Sequence, residues 1–304
     1  MNKKFHDLIS EASKVVLDKN VEIRLAMTCL LAEGHLLIED LPGVGKTTLV
    51  QVLSKLTGLK SRRVQFTIDL LPADVLGGQI FHPQEQKFIF HPGPLFSQLV
   101  MADELNRASP RTQSALLQAM EEREVSIDGT THSLPKPFYV IATQNPHQQT
   151  GTFPLPESQL DRFLMSLELN YASKDTEIRL LQGEDPRSLL ARMETLFSDG
   201  ELAAALKTVE QTKVSAPVAT YIADLLERSR RSGFEGTPLS TRAGLSLVRA
   251  AKAWAFLEGR DYVRPEDVQQ VLIPVLGHRL GGNHGIKRGR EWANALQKST
   301  PVPV

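Results

Sequence analysis

The chain has 304 residues, of which 41% are hydrophobic and 23% are charged, a composition typical of globular proteins rather than disordered ones. This length is sufficient for two packed domains. Basic and acidic residues balance at 35 each, so no net positive field attracts nucleic acid or an anionic membrane, and functions that depend on such attraction are disfavoured.

Apolar residues at helical spacing fill the first stretch of the chain and predict two helices between residues 5 and 32. The single cysteine, Cys29, lies among apolar neighbours, which is typical of a small core residue in a reducing compartment. No apolar run approaches the roughly 18 residues that a membrane-spanning helix needs. We therefore expect a soluble, cytoplasmic protein without membrane insertion.

The connection between these two helices contains Val16 and Leu17 and lies upstream of a predicted strand. In nucleotide-binding folds such a turn can contact an adenine base through apolar side chains. An ordinary helix connection has the same sequence pattern, so both interpretations stay open for these two residues.

An apolar run at residues 36–38 is followed by the sequence LPGVGKTT at 41–48 and then by an amphipathic run. A buried strand, a glycine turn and a helix in that order place several backbone N–H groups and a helix N-terminus around one point. Because such an arrangement binds phosphate, the stretch predicts a nucleotide site.

Four residues of this stretch have predicted roles. Gly43 and Gly45 allow the backbone to approach a ligand closely. Lys46 would reach the β- and γ-phosphates of a nucleotide, and the Thr47 hydroxyl would ligate Mg²⁺. The usual pattern has glycine where this chain has Asp40, so a chance glycine turn in an α/β protein is the alternative.

Two β-hairpins are predicted downstream. The first joins apolar runs at 79–82 and 87–91, and the helix signals on both sides make it an insertion rather than part of a sheet. The second surrounds the Asp-Gly turn signal at 128–129. His82 and His91 flank the first hairpin, but two histidines without a third ligand favour packing or solvent exposure over a metal site.

Asp103 and Glu104 follow an apolar strand at 99–102. The carboxyl ends of strands in open α/β sheets are where ligands bind, and two adjacent carboxylates there are costly without a cation such as Mg²⁺. Asp103 would hold the metal through water, and Glu104 would orient and polarise the water that attacks the γ-phosphate. A helix N-cap is the alternative for Asp103, but the upstream glycine loop favours the catalytic interpretation.

Asn145 follows the next apolar strand, at 138–142. A polar residue at the tip of a core strand has no packing role. It either forms a local hydrogen bond before the next proline or contacts phosphate and water, and we favour the second interpretation.

Three stretches together carry a family resemblance. They are the run GPLFSQLVMADELNRASPRTQSALLQAMEEREVSIDGTTHSLPKPFYVIATQNP at 93–146, FPLPESQLDRF at 153–163 and LSTRA at 239–243. They resemble the MoxR branch of the AAA+ ATPases, and the similarity extends over about residues 5–280. The resemblance implies an α/β fold: a P-loop AAA+ core with a five-stranded parallel sheet flanked by helices and carrying β-hairpin insertions, followed by an all-α lid domain.

The resemblance also implies site residues and ligands. It places Walker B at Asp103 and Glu104 and a sensor-1 residue at Asn145, with ATP and Mg²⁺ bound and the metal held by Thr47 and Asp103. The Walker A residues that it implies are Pro42, Gly43, Val44, Gly45, Lys46, Thr47 and Thr48.

Two arginines gain roles from the same resemblance. Arg162, in the sequence LDRF, matches the arginine finger that members of this group project into a neighbouring subunit's ATP site, where a cation acts on transition-state charge. Arg242, in the sequence STRA, matches sensor 2 at a helix start in the lid, where it would contact the γ-phosphate. A surface ion pair is the alternative for Arg162 and a solvent-facing helix position for Arg242. The sequence does not choose between action in cis and in trans.

Beyond residue 171 helical patterns follow one another without a strand signal, which predicts a nucleotide-binding core at 1–172 and a helical lid at 173–304. The last predicted helix ends near residue 276. The glycine-rich basic tail that follows, from residue 281, is expected to be loosely ordered or to dock on a neighbouring subunit.

Family resemblance implies ATP hydrolysis that drives the remodelling or maturation of partner proteins. It also implies a homo-oligomer that forms a hexameric ring and acts with von Willebrand factor A-domain partners and client proteins, and we expect no nucleic acid partner. A slow nucleotide-gated scaffold and a magnesium-chelatase-like ATPase subunit are the alternatives. A DNA motor is disfavoured by the zero net charge.

Overall fold

The structure of the protein is a computed structural model that describes residues 2–41, 43–145, 151–183, 185–198 and 200–303. Pro42, predicted in the Walker A motif, lies outside these residues. The described strands are Leu36–Glu39 (β1), Ser61–Gln65 (β2), Gly77–His82 (β3), Lys87–Pro92 (β4), Leu99–Asp103 (β5), Glu124–Ile127 (β6), Thr130–Ser133 (β7), Tyr139–Gln144 (β8) and Met165–Leu167 (β9).

The described α-helices are Asn2–Ser13 (α1), Asn20–Leu31 (α2), Lys46–Thr57 (α3), Pro72–Leu76 (α4), Pro110–Glu122 (α5), Glu157–Leu160 (α6), Lys174–Leu181 (α7), Pro186–Arg192 (α8), Glu201–Glu210 (α9), Ala216–Ser229 (α10), Thr241–Leu257 (α11), Pro265–Gly281 (α12) and Gly285–Ser299 (α13). Short 3₁₀ turns occupy Leu105–Arg107 and Gly282–His284.

Five of the strands form one parallel sheet in the order β2-β5-β8-β1-β9. Alternate residues of its central strands pack into different apolar clusters, as the two-residue period of a strand requires. Leu36 and Ile38 join the cluster with α1, α2, α3 and the C-terminal helices, whereas Leu37 joins the one with α5. The predicted five-stranded parallel sheet is therefore confirmed. Because the C-terminal helices share a cluster with α1 to α3, the domain division at residues 172 and 173 stays a prediction.

Both predicted hairpins form separate two-stranded antiparallel sheets, β3-β4 and β6-β7. They contact each other through the rings of Phe90 and His132, whose centroids lie 3.9 Å apart. His82 pairs with Lys87 at the turn of the first hairpin, whereas His91 pairs with Gly78 at its base, so the two imidazoles lie at opposite ends.

The C-terminal tail differs from the sequence-based expectation. α12 continues to Gly281, and the segment expected to be loose or docked on a neighbour is a helix, α13, packed against α12 of the same chain. The glycines permit this close packing: a Cβ on Gly289 would lie 2.0 Å from the backbone O of Gly277 and 2.4 Å from the N of Gly281. Trp292 and Leu296 bury the apolar face of α13. In the sequence these glycines suggest flexibility. In the fold they lie where α12 and α13 cross, and they allow the two backbones to approach closely.

None of the helices in the described ranges combines the length and the apolar character that a membrane-spanning segment requires.

Candidate nucleotide-binding site

The glycine turn between β1 and α3 has the geometry of a phosphate loop. Gly43 and Gly45 have φ angles of +87° and +95°, in the left-handed region that other L-residues rarely adopt. No described atom lies within 4 Å of the position that a Cβ would take at either residue. The turn therefore presents backbone rather than side chains to its open side, where α3 begins.

Lys46 is the first residue of α3, and its side chain folds over the loop. Its Nζ donates to the backbone oxygens of Asp40, at 2.7 Å, and Leu41, at 3.1 Å. Burial lowers the pKa of the Lys46 amine, while the neighbouring carboxylates, Asp40 foremost, act to raise it. The ammonium is thus held at the mouth of the glycine turn by acceptors that a phosphate can replace.

Asp40, which stands where the usual pattern has glycine, has a structural role. Its Oδ1 accepts a hydrogen bond from the N–H of Leu41 at 2.8 Å, and its Oδ2 accepts from Leu169 at 2.5 Å and Asn170 at 2.7 Å. The carboxylate therefore ties the start of the loop to the segment after β9. Where the usual pattern has a flexible glycine, this chain therefore has a buried aspartate that fixes the start of the loop.

Asp103, at the end of β5, is held by two neighbouring strands. Arg63 of β2 donates to its Oδ2 from Nη2 at 2.6 Å and from Nε at 3.2 Å. The Thr143 hydroxyl of β8 donates to its Oδ1 at 2.6 Å, and the same hydroxyl oxygen accepts from the N–H of Glu104 at 2.9 Å. Thr143 thus orients both residues of the acidic pair from a fully buried position.

Glu104 adopts a left-handed conformation, with φ 55° and ψ 47°, which turns its side chain out of the strand direction. Its Oε2 accepts from Nε2 of Gln65 at 2.7 Å and pairs with Nε of Arg107 at 3.1 Å. Sequence reasoning missed Gln65, Arg63 and Thr143 as members of the site. Arg63 and Gln65 alternate along β2 in the sequence, but the partners of all three residues become evident only from the strand order.

A cavity of about 400 Å³ gathers these groups at the carboxyl edge of the sheet. Its lining residues are Gly43, Gly45, Lys46, Thr47, Thr48, Arg63, Gln65, Asp103, Glu104 and Asn145. The predicted phosphate loop, acidic pair and strand-tip asparagine therefore meet in one place. The backbone O of Asn145 also accepts from Nδ2 of Asn106 at 3.4 Å.

A second cavity, of about 260 Å³, shares the glycine turn with the first and extends toward the connection between α1 and α2. Its lining includes Val15, Val16, Leu17, Lys19, Gly43, Val44, Gly45, Thr48, Tyr171, Ala172, Thr176 and Leu180. The two residues left open by the sequence, Val16 and Leu17, thus lie beside the phosphate loop.

Hydrogen bonds brace one wall of this second cavity. Lys19 donates from Nζ to the backbone O of Tyr171 at 3.0 Å. The Asp18 carboxylate accepts from the N–H of Ser173 at 2.9 Å and from its hydroxyl at 2.7 Å, and these bonds lower the pKa of Asp18. The α1–α2 connection and the start of α7 are therefore linked across the cavity.

Arg162 and Arg242 come together elsewhere. Both pair with Glu121, and with it they line a pocket of about 230 Å³ beside Gly34 and Leu164. These last two residues precede β1 and β9, so the pocket lies at the amino edge of the parallel sheet, opposite the glycine turn. Neither arginine is among the described residues that line the other two cavities.

The donor set of the first cavity fits Mg²⁺ bound together with a polyphosphate. Thr47 and Asp103 offer the hard oxygen ligands that this ion prefers. Within the described residues no group of three or more His, Cys, Asp or Glu side chains is arranged to hold a metal ion alone. That arrangement suits an ion that takes its remaining ligands from water and substrate phosphates.

The chain matches two family models and several named relatives. Residues 35–165 match the ATPase family associated with various cellular activities (AAA), and residues 237–295 match an AAA lid domain. Chaperone MoxR1 of Mycobacterium tuberculosis is 35% identical over 283 residues, which cover 90% of this chain and 74% of the relative. The chain belongs to the MoxR family of AAA+ ATPases.

Further comparisons cover most of this MoxR-family chain. Protein MoxR of Paracoccus denitrificans is 33% identical, with 99% of this chain and 97% of the relative covered. Uncharacterized protein YeaC of Bacillus subtilis is 40% identical, with 90% and 87% covered. The crystal structure of a candidate ATPase from Cytophaga hutchinsonii matches with a TM-score of 0.87 and 33% identity, over 100% of this chain and 96% of that one. The resemblance found in the sequence is confirmed for family and fold.

Proposed function

We propose that this MoxR-family protein hydrolyses ATP and uses the reaction to remodel or mature partner proteins. One observation carries the proposal: the glycine turn, Lys46 and the acidic pair Asp103 and Glu104 line the same cavity. An open glycine turn and an ammonium bind polyphosphate, whereas a carboxylate at the facing strand end is suited to activate water. The groups suited to phosphate binding and to water activation thus line one cavity.

In this proposal the backbone N–H groups of residues 43–48 bind the phosphates and Lys46 contacts the β- and γ-phosphates. Thr47 and Asp103 hold Mg²⁺, which when bound supplies positive charge to the phosphate oxygens. Glu104 orients and polarises the attacking water, and Asn145 helps to position it. Pro42, Val44 and Thr48 complete the Walker A contacts.

The second cavity is the proposed site of the adenine base. It is continuous with the glycine turn, and Val16 and Leu17 give it an apolar wall. The link between Lys19 and Tyr171 holds that wall against the segment after β9. The flat faces of an adenine ring pack against such apolar side chains better than a charged group does.

Arg162 and Arg242 act in trans in this proposal. They lie together at the amino edge of the sheet, whereas the phosphate cavity lies at the carboxyl edge of the same subunit. A neighbouring subunit can bring its own phosphate cavity against the arginine pair, and the cations then stabilise charge that develops in the transition state. In a closed ring, hexameric as the family resemblance implies, every phosphate cavity contacts the arginine pair of a neighbouring subunit.

Partner proteins complete the proposed function. The resemblance favours von Willebrand factor A-domain proteins and client enzymes. The cytoplasm is the proposed location because Cys29, the single cysteine of the sequence, is a buried free thiol, as is common in a reducing compartment.

The test compares the wild type with Glu104→Gln. The variant should bind ATP with unchanged affinity, because Glu104 contacts water rather than the nucleotide, and its hydrolysis should fall by at least about 10²-fold. Client maturation should stop with hydrolysis. A variant that still matures clients would support the nucleotide-gated scaffold, and failure of the wild type to bind Mg-ATP would overturn the proposal.

A further inference from the structure

One carboxylate joins the two arginines that sit at the amino edge of the sheet. Glu121, in the last turn of α5, pairs through Oε2 with Nη2 of Arg162 at 3.2 Å and through Oε1 with Nη2 of Arg242 at 2.8 Å. Arg162 belongs to the segment between α6 and β9, whereas Arg242 is in the first turn of α11. Glu121 therefore connects three elements that are distant in sequence.

The other carboxylate near this pair is already engaged. Asp161 accepts from Nε of the buried Arg279 at 2.7 Å, and its closest atom to Arg242 is 3.8 Å away. Asp161 thus belongs mainly to the buried pair with Arg279. Two carboxylates form described ion pairs with Arg242. Of these, Glu121 is the one within hydrogen-bond distance.

The exposure of the three side chains indicates what this contact does. The side chains of Glu121, Arg162 and Arg242 are 40%, 28% and 59% exposed. Ion pairs this exposed add little to stability because solvent screens them. Two guanidinium groups that share one small pocket nevertheless repel each other, and a carboxylate bound to both offsets that repulsion and fixes their spacing.

We propose that Glu121 is a positioning residue that holds Arg162 and Arg242 as a pair, so that both reach a neighbouring subunit's phosphate cavity together. This inference rests on the proposed function and deepens it. Glu121 lies in the arginine pocket and is not among the described residues of its own subunit's phosphate cavity. Its loss should therefore change turnover without changing nucleotide binding in the same subunit.

The first experiment compares Glu121→Gln with the matched control Glu122→Gln. Glu122 is the next residue of the same helix, and its carboxylate pairs with Gln118 rather than with an arginine. Replacement of Glu121 by the neutral isostere should lower kcat about tenfold, as expected when charged groups are misplaced, and leave KM for ATP unchanged. The control should keep the wild-type kcat, and thermal melting should show both variants folded.

The second experiment mixes subunits. Lys46→Ala removes the ammonium from a subunit's own phosphate cavity and leaves its Glu121 and both arginines in place. In a mixed ring, a shared site can form between a Glu121→Gln subunit and a Lys46→Ala neighbour. The first subunit supplies an intact phosphate cavity, and the second supplies an intact arginine pair. The mixture should therefore hydrolyse ATP faster than the sum of the two variants measured alone.

A mixture of Arg162→Ala with Lys46→Ala serves as the reference. A gain in the reference mixture without a gain for Glu121→Gln would show that Glu121 acts within its own subunit, and the proposal would be wrong. A wild-type kcat for Glu121→Gln would also overturn it. If neither mixture gains activity, the shared site itself is wrong, and the role of Glu121 is lost with it.

Discussion

Gln65 of β2 donates a hydrogen bond of 2.7 Å from Nε2 to Oε2 of Glu104, at the end of the neighbouring strand β5. The proposed water-activating carboxylate is thus held by an amide from the next strand. While that bond persists, the Gln65 amide competes with the attacking water for one oxygen of the Glu104 carboxylate. If Glu104 has the proposed role, we expect this bond to influence the rate of hydrolysis.

Replacement of Gln65 by Leu should raise the basal ATPase rate. A net hydrogen bond is worth about 1 kcal/mol, so its removal should increase kcat about fivefold at most. Steady-state ATPase at saturating ATP measures the effect, and Gln118→Leu on the surface of α5 is the control. A rate below the wild type would mean that the amide aligns Glu104 for reaction rather than restraining it.

Replacement of Thr143 by Val should impair both stability and turnover. The change keeps the shape but removes the donor to Asp103 Oδ1 and the acceptor of the Glu104 N–H. An unpaired buried group costs about 1–3 kcal/mol, which urea unfolding would detect, and kcat should fall because the acidic pair loses its orientation. Thr143→Ser retains the hydroxyl and should stay close to the wild type. A Thr143→Val variant with wild-type stability and kcat would contradict the role of the hydroxyl.

Replacement of Gly289 by Ala should destabilise the packing of α13 on α12. The new methyl group would overlap the backbone O of Gly277, and backbone atoms cannot move aside as a flexible side chain can. The expected loss is about 2 kcal/mol or more, measured by thermal unfolding. Gly78→Ala is the control because no described atom lies near its Cβ position. An unchanged melting temperature would contradict the close crossing of the two helices.

His35 should make stability depend on pH. Its ring is buried between Val140, whose N–H donates to Nδ1 at 3.0 Å, and the backbone O of Met120, 3.1 Å from Nε2. Burial lowers the pKa of His35 to about 4. Since an unfolded histidine has a pKa near 6.5, the unfolded state binds the proton first as pH falls. The stabilisation that the buried, neutral His35 ring contributes is therefore complete above about pH 6.5 and is lost progressively between about pH 6.5 and 4.

The size of this effect follows from the pKa difference and is about 3 kcal/mol. Unfolding free energies measured from pH 7 to 4 should therefore fall less steeply for His35→Gln than for the wild type. The comparison with the variant is needed because burial also lowers the pKa of His278, which makes stability fall with pH in the same direction. Parallel pH profiles for the two proteins would contradict the prediction.

Local patterns predicted much of the site. The glycine turn, the acidic pair at the end of β5 and the two hairpins were all expected from short stretches of sequence, because turn residues and strand periodicity act over a few residues. The C-terminal tail was predicted wrongly by the same local reasoning. Gly281 and Gly289 favour flexibility when read alone, whereas contact with the facing helix makes them packing residues.

A phosphate loop, an acidic pair, a strand-tip asparagine and the resemblance to MoxR proteins could all be predicted from the order of the residues. The side chains that contact them became evident from the folded sheet: Thr143 contacts Asp103 and Glu104, and Gln65 contacts Glu104. The physical reason is that a strand's own residues fix its burial and periodicity, whereas its neighbours in the sheet depend on how the whole chain packs. Contacts between residues about 40 positions apart are therefore absent from any local pattern.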